Sequence, residues 1–382
     1  MDEEKISVLI CDDSALMRNL ISRMVESDPH LMVAGKAMNG RFALDKLPTL
    51  KPDIIVMDLE MPEMSGIEFL KERKRLGITI PVIILSAVAQ RGAQITMEAM
   101  ELGAQDFILK PSTGSQELME VQKHLTDTLK AYGARYKRLN FRTKEVPGAA
   151  APAAPPAAAR PLPEHAGVNE SFAYHSGPPP VIQRAALTRQ IDVVALGIST
   201  GGPNALREVF PMLDPELPVP FLVVQHMPAG FTKEFAASLN RICPLEVKEA
   251  EEGDLLKPGR VLIAPGDSHL EVEQKKLAVI AHLTQAPLRS GHRPSADVLF
   301  ESVAKAYGGR ALAVIMTGMG KDGATEIGKI YQAGGITIAQ DQESAVVYGM
   351  PRAAFENGYT DHVVSLDKIA PTINRIVREN QR

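Results

Sequence analysis

Short apolar runs alternate with amphipathic stretches along the first third of the chain. The runs are rich in β-branched residues, as strands buried on both faces of a parallel sheet usually are. They lie at Ser7–Cys11, Met32–Gly35, Asp53–Met57, Pro81–Leu85 and Asp106–Leu109. Helical periodicity predicts helices between them at Leu16–Ser27, Gly40–Leu47 and Gly66–Leu76. This alternation indicates an α/β domain with a doubly wound parallel sheet, whose functional crevice lies at the carboxyl ends of the strands.

A second alternation of the same kind begins near Ile191. The predicted strands are Ile191–Ile198, Phe221–Gln225, Arg260–Ala264, Ala311–Met316 and Ile336–Ala339. A β-hairpin is predicted from Leu270–Glu273 and Leu277–Ala281. The predicted helices are Asn204–Met212, Phe231–Arg241, Ser295–Tyr307, Ala324–Ala333 and Ile369–Arg378. We therefore expect a second doubly wound α/β domain with a mainly parallel sheet.

The two alternations are separated by a stretch of biased composition. From Pro147 to Pro163, fourteen of seventeen residues are Ala or Pro. Such a stretch cannot bury a core, and its prolines favour an extended, semi-rigid spacer. We place a first domain at residues 1–126, a linker helix and an Ala/Pro-rich tether at 127–186, and a second domain at 187–382.

Composition narrows the class of protein. The 382 residues are 45% hydrophobic and 23% charged, which is ordinary for globular domains, and the net charge of −4 does not favour nucleic acid. No apolar run approaches the ~18–20 residues that a membrane span needs, and the acidic start lacks the layout of a signal peptide. Only Cys11 and Cys243 are cysteines, which excludes a disulfide scaffold. We expect a soluble, cytoplasmic protein that neither inserts into membranes nor binds nucleic acid.

Carboxylates follow two of the strands predicted in the first domain. Asp12 and Asp13 follow the first strand, and Asp58 follows the third. Parallel strands end at one edge of a sheet, so the three carboxylates should converge, and Mg²⁺ would relieve their repulsion. Ser86 and Lys110 end two further strands, and a lysine there suits a phosphoryl group. The set predicts that Asp58 accepts a phosphoryl group, although helix capping is a simpler role for any single member.

Four motifs of this domain resemble the receiver domain of two-component response regulators over roughly residues 5–125. They are Cys11-Asp12-Asp13-Ser14, Met57-Asp58-Leu59-Glu60-Met61-Pro62, Leu85-Ser86-Ala87 and Phe107-Ile108-Leu109-Lys110-Pro111. The resemblance implies a flavodoxin-like fold and phosphorylation of Asp58. The supporting residues it implies are Asp12, Asp13 and Asp58 for Mg²⁺, and Ser86 and Lys110 for the phosphoryl group. It also implies that Phe107 is the aromatic position that reorients with Ser86.

A serine follows the first strand of the second domain, in the sequence Gly197-Ile198-Ser199-Thr200-Gly201-Gly202-Pro203. Glycines allow close backbone approach and Pro203 suits a helix start, so N–H groups there could hold an oxyanion or a phosphate. The Gly-x-Ser-x-Gly pattern matches a nucleophile elbow. A nucleotide-binding turn is the alternative, although its Gly-x-Gly-x-x-Gly fingerprint and P-loop lysine are missing. A plain strand–helix turn is the simplest interpretation.

A serine nucleophile needs a general base. His226 ends the strand Phe221–Gln225, at the same sheet edge as Ser199. His269 is the second choice, because it follows another predicted strand by a loop. His292 precedes a helix and is interpreted as a substrate-loop residue.

The base needs an orienting carboxylate in turn. Asp322 follows the strand Ala311–Met316 on a glycine-rich loop, where a helix N-cap is its simpler role. Asp267 is the nearest competitor. The order Ser199, His226, Asp322 differs from the Ser…Asp…His order of α/β-hydrolases and argues against that fold.

Five motifs of the second domain resemble the chemotaxis protein-glutamate methylesterases, the CheB family, over about residues 190–380. They are Gly197-Ile198-Ser199-Thr200-Gly201-Gly202-Pro203, Gln225-His226-Met227-Pro228, Ala264-Pro265-Gly266, Arg293-Pro294-Ser295-Ala296-Asp297-Val298-Leu299-Phe300 and Thr317-Gly318-Met319-Gly320-Lys321-Asp322-Gly323. The resemblance implies a Rossmann-like esterase domain. The site residues it implies are Ser199, His226 and Asp322 as the triad, Thr200 and the Met319 backbone at the oxyanion and substrate loop, and Arg293 near the substrate.

With the receiver in front, the resemblance implies phosphorylation-regulated hydrolysis of glutamate γ-methyl esters on chemoreceptors, releasing methanol, in chemotaxis adaptation. Glutamine deamidation by the same triad is implied as well. The expected partners are methyl-accepting chemoreceptors as substrate and a chemotaxis histidine kinase as phosphodonor. We expect a monomer, and no metal in the catalytic domain. We also hypothesise that the unphosphorylated receiver covers the active-site cleft.

Other functions stay open on the sequence alone. The chain could be a catalytically idle adaptor coupled to a receiver, with Ser199 only a scaffold residue. A transcriptional regulator would need a basic helix-turn-helix, whereas residues 186–382 alternate strand and helix. A dinucleotide-dependent oxidoreductase would need the missing glycine fingerprint.

Overall fold

The computed structural model describes residues 5–86, 90–110, 115–144, 180, 182–187 and 190–381. The Ala/Pro tract at 147–163 lies outside the described residues, as do Ala87 and Pro111 of the receiver motifs. The predicted fold class is confirmed, because the chain forms two α/β domains, each built on a parallel sheet.

Within the described residues, the first domain alternates five strands with five helices. The strands are β1 (Ile6–Cys11), β2 (Leu31–Ala37), β3 (Ile54–Asp58), β4 (Val82–Ser86) and β5 (Asp106–Leu109). The helices are α1 (Ala15–Glu26), α2 (Gly40–Leu50), α3 (Gly66–Arg75), α4 (Gln90–Glu101) and α5 (Ser115–Lys144). Every neighbouring pair of strands is parallel, in the order β2-β1-β3-β4-β5. The ends of β1, β3, β4 and β5 therefore meet at one edge of the sheet.

Polar caps fix where the helices after β1 and β3 begin. The Ser14 side chain accepts a hydrogen bond from the first turn of α1. Ser65 and Glu68 form a capping box at the start of α3. Each cap satisfies N–H groups that a helix start leaves unpaired. The carboxylates that end β1 and β3 consequently stay outside the helices, at the edge of the sheet.

The second domain follows the same principle on a wider sheet. Its strands are β6 (Val193–Ile198), β7 (Phe221–Gln225), β8 (Glu246–Glu249), β9 (Arg260–Ile263), β10 (His269–Gln274), β11 (Val279–Thr284), β12 (Ala311–Ile315), β13 (Ile336–Gln340) and β14 (His362–Val364). Its helices are α6 (Gly202–Val209), α7 (Phe231–Asn240), α8 (Ala296–Tyr307), α9 (Ile327–Gln332), α10 (Met350–Glu356) and α11 (Leu366–Glu379). The antiparallel hairpin β10–β11 stands apart from the main sheet.

The chain reverses direction across the main sheet beside β6. Seven parallel strands lie in the order β14-β13-β12-β6-β7-β9-β8. After β6 the chain builds β7, β8 and β9 on one side of it, and it later returns to build β12, β13 and β14 on the other side. Open α/β sheets bind ligands at such a switch point, outside the carboxyl ends of the strands. The loops after β6, β7 and β12 meet there.

Some elements differ from the sequence-based expectation. The edge strands β8 and β14 and the helix α10 were not expected, because a segment such as Glu246–Glu249 is too polar to read as an apolar run. Helix α5 continues through the boundary expected at residue 126 and spans 30 residues. No helix in the described part of the chain combines the length and the apolar character that crossing a membrane requires.

Candidate active site and phosphoacceptor pocket

Ser199 stands in a tight turn between β6 and α6. Its amide donates to Thr317 O (3.0 Å), and its carbonyl accepts from the Gly202 amide (2.7 Å) and from Gln225 Nε2 (3.0 Å). The turn has room only for glycine. Gly201 has a φ of +81°, and a Cβ on Gly202 would lie 1.9 Å from Gln225 Oε1. The glycine pair thus lets the backbone close tightly and holds Ser199 at the end of β6.

The His226 side chain lies between Ser199 and Asp322. Its Nδ1 is 3.0 Å from Ser199 Oγ, and its Nε2 is 2.7 Å from Asp322 Oδ2. An ionised carboxylate can only accept a hydrogen bond, which assigns the ring proton to Nε2 and leaves Nδ1 to accept from the serine hydroxyl. The three side chains are therefore in contact in the arrangement that a nucleophile, a general base and an orienting carboxylate would need.

Asp322 is buried at the N-terminus of α8. Ser295 Oγ (2.6 Å), the Ala296 amide (2.6 Å) and the Asp297 amide (3.1 Å) all donate to its carboxylate. Burial would raise its pKa, but the hydrogen bonds from His226, Ser295 and Ala296 outweigh burial and lower the pKa to about 2. Asp322 therefore stays ionised at neutral pH. It also pairs the first N–H groups of α8, which the Ser295 side chain leaves uncapped.

Two backbone N–H groups are candidates to hold negative charge at Ser199, one beside it in sequence and one on the loop that packs against it. The amides of Thr200 and Met319 donate to no acceptor among the described residues. The loop that carries Met319 packs closely on the serine, since a Cβ on Gly318 would lie 2.9 Å from Ser199 Cβ. Unengaged N–H donors beside a nucleophile can stabilise an oxyanion as it forms.

The remaining candidates from the sequence are held elsewhere. Arg293 Nε and Nη2 lie 3.0 and 2.6 Å from Asp267 Oδ1, so these two residues pair with each other. Two backbone carbonyls accept from the third nitrogen of this guanidinium. His269 is buried with its Nε2 3.1 Å from Pro287 O, and it makes no hydrogen bond to Ser199.

Sequence reasoning missed the groups that fix the triad. The sequence shows Gln225 only as the last residue of a strand and a member of a motif, and Ser295 only as a motif residue at a predicted helix start. The structure places Gln225 against the Ser199 carbonyl and Ser295 against the Asp322 carboxylate. A polar residue that ends an otherwise apolar strand, next to a candidate base, was the available signal at Gln225.

The carboxyl end of the first sheet forms an acidic pocket. Carboxylate oxygens of Asp12, Asp13 and Asp58 lie within 4.8 Å of one another. Lys110 Nζ is 2.9 Å from Asp12 Oδ2 and 2.8 Å from Asp58 Oδ2. A cavity of about 230 Å³ opens beside Asp58 and Lys110, with Asp13 and Ser86 in its lining. Three carboxylates this close together, two of which line the cavity, fit Mg²⁺, which keeps several waters and takes few protein ligands.

Charge in this pocket is partly balanced by the lysine. Burial raises the pKa of Asp58, and Lys110 counteracts that rise. Burial by itself would lower the pKa of Lys110, but its contacts with Asp58 and Asp12 outweigh burial and raise it. Ser86 Oγ accepts a hydrogen bond from Thr96 Oγ1 (2.7 Å). All the strand-end residues expected around Asp58 are therefore brought together at one site.

A carboxylate of the first domain reaches the turn that carries Ser199. Asp106 Oδ2 accepts a hydrogen bond from the Gly201 amide (2.9 Å) in a buried contact between the two domains. Tyr132 OH lies 3.4 Å from the same oxygen. Burial raises the pKa of Asp106 to about 6. The sequence singles out Gly201 only as part of the glycine-rich turn and Asp106 only as the start of a strand, because the contact exists only once the domains are docked.

Further contacts surround this hydrogen bond. The Phe107 ring stacks on Phe231 of α7, with 5.0 Å between centroids and 9° between planes. Asn204 Nδ2 donates to the carbonyls of Ala104 (2.9 Å) and Gln105 (3.1 Å). The expected aromatic switch position therefore contacts the second domain directly.

Comparison with known proteins gives matches for both domains. The family model described as CheB methylesterase matches residues 194–373, and that of the response regulator receiver domain matches residues 8–122. The protein-glutamate methylesterase/protein-glutamine glutaminase of Treponema denticola is 54% identical over 98% of this chain and 99% of its own length. The Treponema pallidum protein of the same name is 51% identical over 97% and 96%. The solved CheB methylesterase catalytic domain of Thermotoga maritima is 42% identical and covers 49% of this chain and 100% of that domain, with a TM-score of 0.48.

Proposed function

This chain belongs to the CheB family of protein-glutamate methylesterases that carry a receiver domain, as its motifs predicted, and from that premise we propose that it demethylates glutamate γ-methyl esters on chemoreceptors under the control of phosphorylation at Asp58. It is an ester hydrolase of that family. The observation that carries the proposal is the contact of His226 with both Ser199 (3.0 Å) and Asp322 (2.7 Å) at the sheet's switch point.

The triad residues act in turn. Ser199 Oγ attacks the ester carbonyl carbon while His226 Nδ1 takes the hydroxyl proton. The carbonyl oxygen becomes an oxyanion, which the Thr200 and Met319 amides stabilise by about 3 kcal/mol for each donor. His226 then returns the proton to the methoxy oxygen as its bond to carbon breaks, and methanol leaves. Asp322 keeps the proton on Nε2 and offsets the positive charge that the ring gains.

Water completes the cycle. It gives a proton to His226 as it attacks the acyl-enzyme, and the proton passes to Ser199 Oγ when the acyl bond breaks. The product is a free glutamate side chain. A glutamine amide would follow the same steps with ammonia as the leaving group, so the triad also supports deamidation.

The acidic pocket supplies the control. We assign Asp58 as the phosphoryl acceptor, Asp12, Asp13 and Asp58 as ligands of Mg²⁺, and Ser86 and Lys110 as contacts of the phosphoryl group. Bound Mg²⁺ would supply positive charge against the phosphoryl oxygens. Lys110 already lies 2.8 Å from Asp58 and neutralises part of its charge.

The unphosphorylated receiver covers the active site in this proposal. Asp106 holds the Gly201 amide, two residues after the nucleophile, and Phe107 stacks on Phe231. A phosphoryl group on Asp58 that draws Phe107 inward with Ser86 would break the stack and weaken the docking. The Arg293 loop borders the cleft, and its role is to shape the approach of the receptor.

The proposed partners follow from the two sites. A methyl-accepting chemoreceptor is the substrate and a chemotaxis histidine kinase is the phosphodonor. We place the enzyme in the cytoplasm, where the methylated receptor helices would be reached, and take it to act as a monomer.

Methanol release from methylated receptor membranes tests both sites together. We expect Ser199→Ala to lower release at least about 10³-fold, because the nucleophile is removed. A small phosphodonor such as acetyl phosphate, with Mg²⁺, should raise release by the wild type but not by Asp58→Asn. Asp45→Asn, an exposed aspartate on α2, is the matched control and should respond like the wild type. No methanol from the wild type under any condition would instead support the idle adaptor.

A further inference from the structure

A second imidazole lies on the face of the proposed general base. The rings of His226 and His292 are stacked, with 3.8 Å between centroids and 17° between planes. The two hydrogen bonds of His226, to Ser199 and Asp322, are made at ring nitrogens and so lie near the ring plane. They resist sliding of the ring within that plane. A flat contact on the face is needed to resist tilting out of it.

The loop that carries His292 is fixed at both ends. Backbone hydrogen bonds pair His292 with Arg289 in both directions, at 2.9 and 3.1 Å. Ser290 Oγ donates to Asp297 Oδ2 (2.6 Å), which ties the loop to the first turn of α8. Three residues after His292, Ser295 holds Asp322. The same short loop therefore supports the base on its face and the carboxylate at its edge.

His292 is an uncharged neighbour at neutral pH. Burial lowers its pKa to about 4, and the nearby His226 acts in the same direction. Asp322 opposes this shift, and His124 of the receiver helix α5 adds to it. A charged ring on this face would oppose the positive charge that His226 gains during the reaction, whereas a neutral aromatic face attracts a cation.

We propose that His292 is a positioning residue, whose ring holds the imidazole of His226 in the plane that joins Ser199 to Asp322. The inference rests on the proposed function, because it assigns the stack a task in the proposed acyl transfer. It does not make His292 a general base, since no hydrogen bond links its ring to Ser199 among the described contacts. What matters is a flat, uncharged ring, so phenylalanine should replace histidine.

The experiment uses the full chain with Mg²⁺ and acetyl phosphate present, and compares His292→Ala with His292→Phe. The first readout is the rate at which a fluorophosphonate modifies Ser199, which depends on the base but on no receptor. The second is kcat and KM for methanol release. His282→Ala, at an exposed histidine of β11 in the same domain, is the matched control. Ser199→Ala gives the background for labelling.

We expect His292→Ala to slow Ser199 modification about tenfold to hundredfold and to lower kcat by a similar factor at nearly unchanged KM. His292→Phe should recover labelling to within a few-fold of the wild type. Equal losses in both variants, or a rise in KM alone, would show that the ring nitrogens contact substrate and would overturn the proposal. So would normal labelling in His292→Ala.

Two further results keep the tests separate. If the wild type is labelled at Ser199 but releases no methanol, the proposed function is wrong. The labelling rates of the variants would still test whether His292 positions His226. Circular dichroism would show whether His292→Ala folds. If it does not, His292→Phe alone tests the proposal. A loss of Ser199 labelling in His292→Phe would then contradict it.

Discussion

At the scale of single residues, Asp322 combines its proposed catalytic role with a structural one. Its carboxylate orients His226 and also accepts from Ser295 Oγ and the Ala296 and Asp297 amides. Each donor is buried with it at the start of α8. Removing the acceptor would leave those groups unpaired, and a buried unpaired donor costs about 1–3 kcal/mol. The two roles can be separated because an amide side chain keeps the shape and loses the charge.

Asp322→Asn should lower kcat for methanol release by about 10³–10⁴-fold, because an amide no longer holds the proton on Nε2 or stabilises the charged ring. The fold should persist, since Asn Oδ1 still accepts from the helix start. Asp322→Ala should lose similar activity and also lower the free energy of unfolding by about 1–3 kcal/mol, measured by urea denaturation. Equal stability of the Asn and Ala variants would contradict the capping role.

At the scale of elements, the β6–α6 turn has no room for a side chain at Gly202. The backbone of the turn packs closely against the Gln225 side chain at Gly202. Gln225 Nε2 in turn donates a hydrogen bond to the Ser199 carbonyl. A side chain on Gly202 would push this glutamine away. The nucleophile's position is thus set by packing between two strand ends rather than by the serine itself.

Gly202→Ala should slow fluorophosphonate modification of Ser199 about hundredfold, because its Cβ would lie 1.9 Å from Gln225 Oε1. Gly202→Ala combined with Gln225→Ala removes the collision and should recover part of the rate. Far-ultraviolet circular dichroism checks that both proteins fold. If the double variant were slower than Gly202→Ala, collision with Gln225 would not be the cause.

Much of this architecture was predictable because both domains place their chemistry at strand ends. Apolar runs reveal buried parallel strands, and the polar residue that ends each run must lie at a known edge of the sheet. That rule placed Asp58 and Ser199 at the strand ends where the structure has them. It fails for the edge strand β8, which is too polar, and for β14, which at three residues is too short to form a recognisable apolar run.

Residues that contact the site residues and hold them in place could not be predicted from the hydrophobic pattern. The stack of His292 on His226 depends on the path of a loop, and the bond from Gly201 to Asp106 depends on docking of two domains. Neither is encoded in periodicity or in local spacing. His292 was interpreted as a substrate-loop residue, and the stack of its ring on His226 could not be foreseen from that position in the sequence.

At the scale of the whole molecule, the receiver contacts the catalytic domain close to Ser199. Asp106 accepts from Gly201, and Asn204 of α6 donates to two receiver carbonyls. Arg135 of α5 reaches the carbonyl of Ser344 (3.1 Å) at another point of the interface. The docking is therefore spread over several contacts, and of the three hydrogen-bonded sites just named the one at Asp106 touches the Ser199 turn.

Asp106→Ala should raise methanol release by the unphosphorylated enzyme about fivefold or more, because docking would then bury the Gly201 amide without an acceptor. Asp106→Asn keeps an acceptor oxygen and should stay close to the wild type. With acetyl phosphate present, all three proteins should release methanol at similar rates. If, without phosphodonor, Asp106→Ala released methanol as slowly as the wild type, this hydrogen bond would not contribute to inhibition.

The hydrogen bond between Asp106 and Gly201 joins two domains of one chain. The affinity between these domains can therefore be lower than two separate proteins would need. Tethered partners meet at an effective concentration that reaches the millimolar range, whatever the abundance of the protein. In the proposed regulation, an interface too weak to unite separate molecules can then still keep the receiver docked over the active site. A single proteolytic cut within the Ala/Pro tract would remove that advantage. We expect the separated catalytic domain to stay active, so the proposed activation is reversible only while the chain is intact.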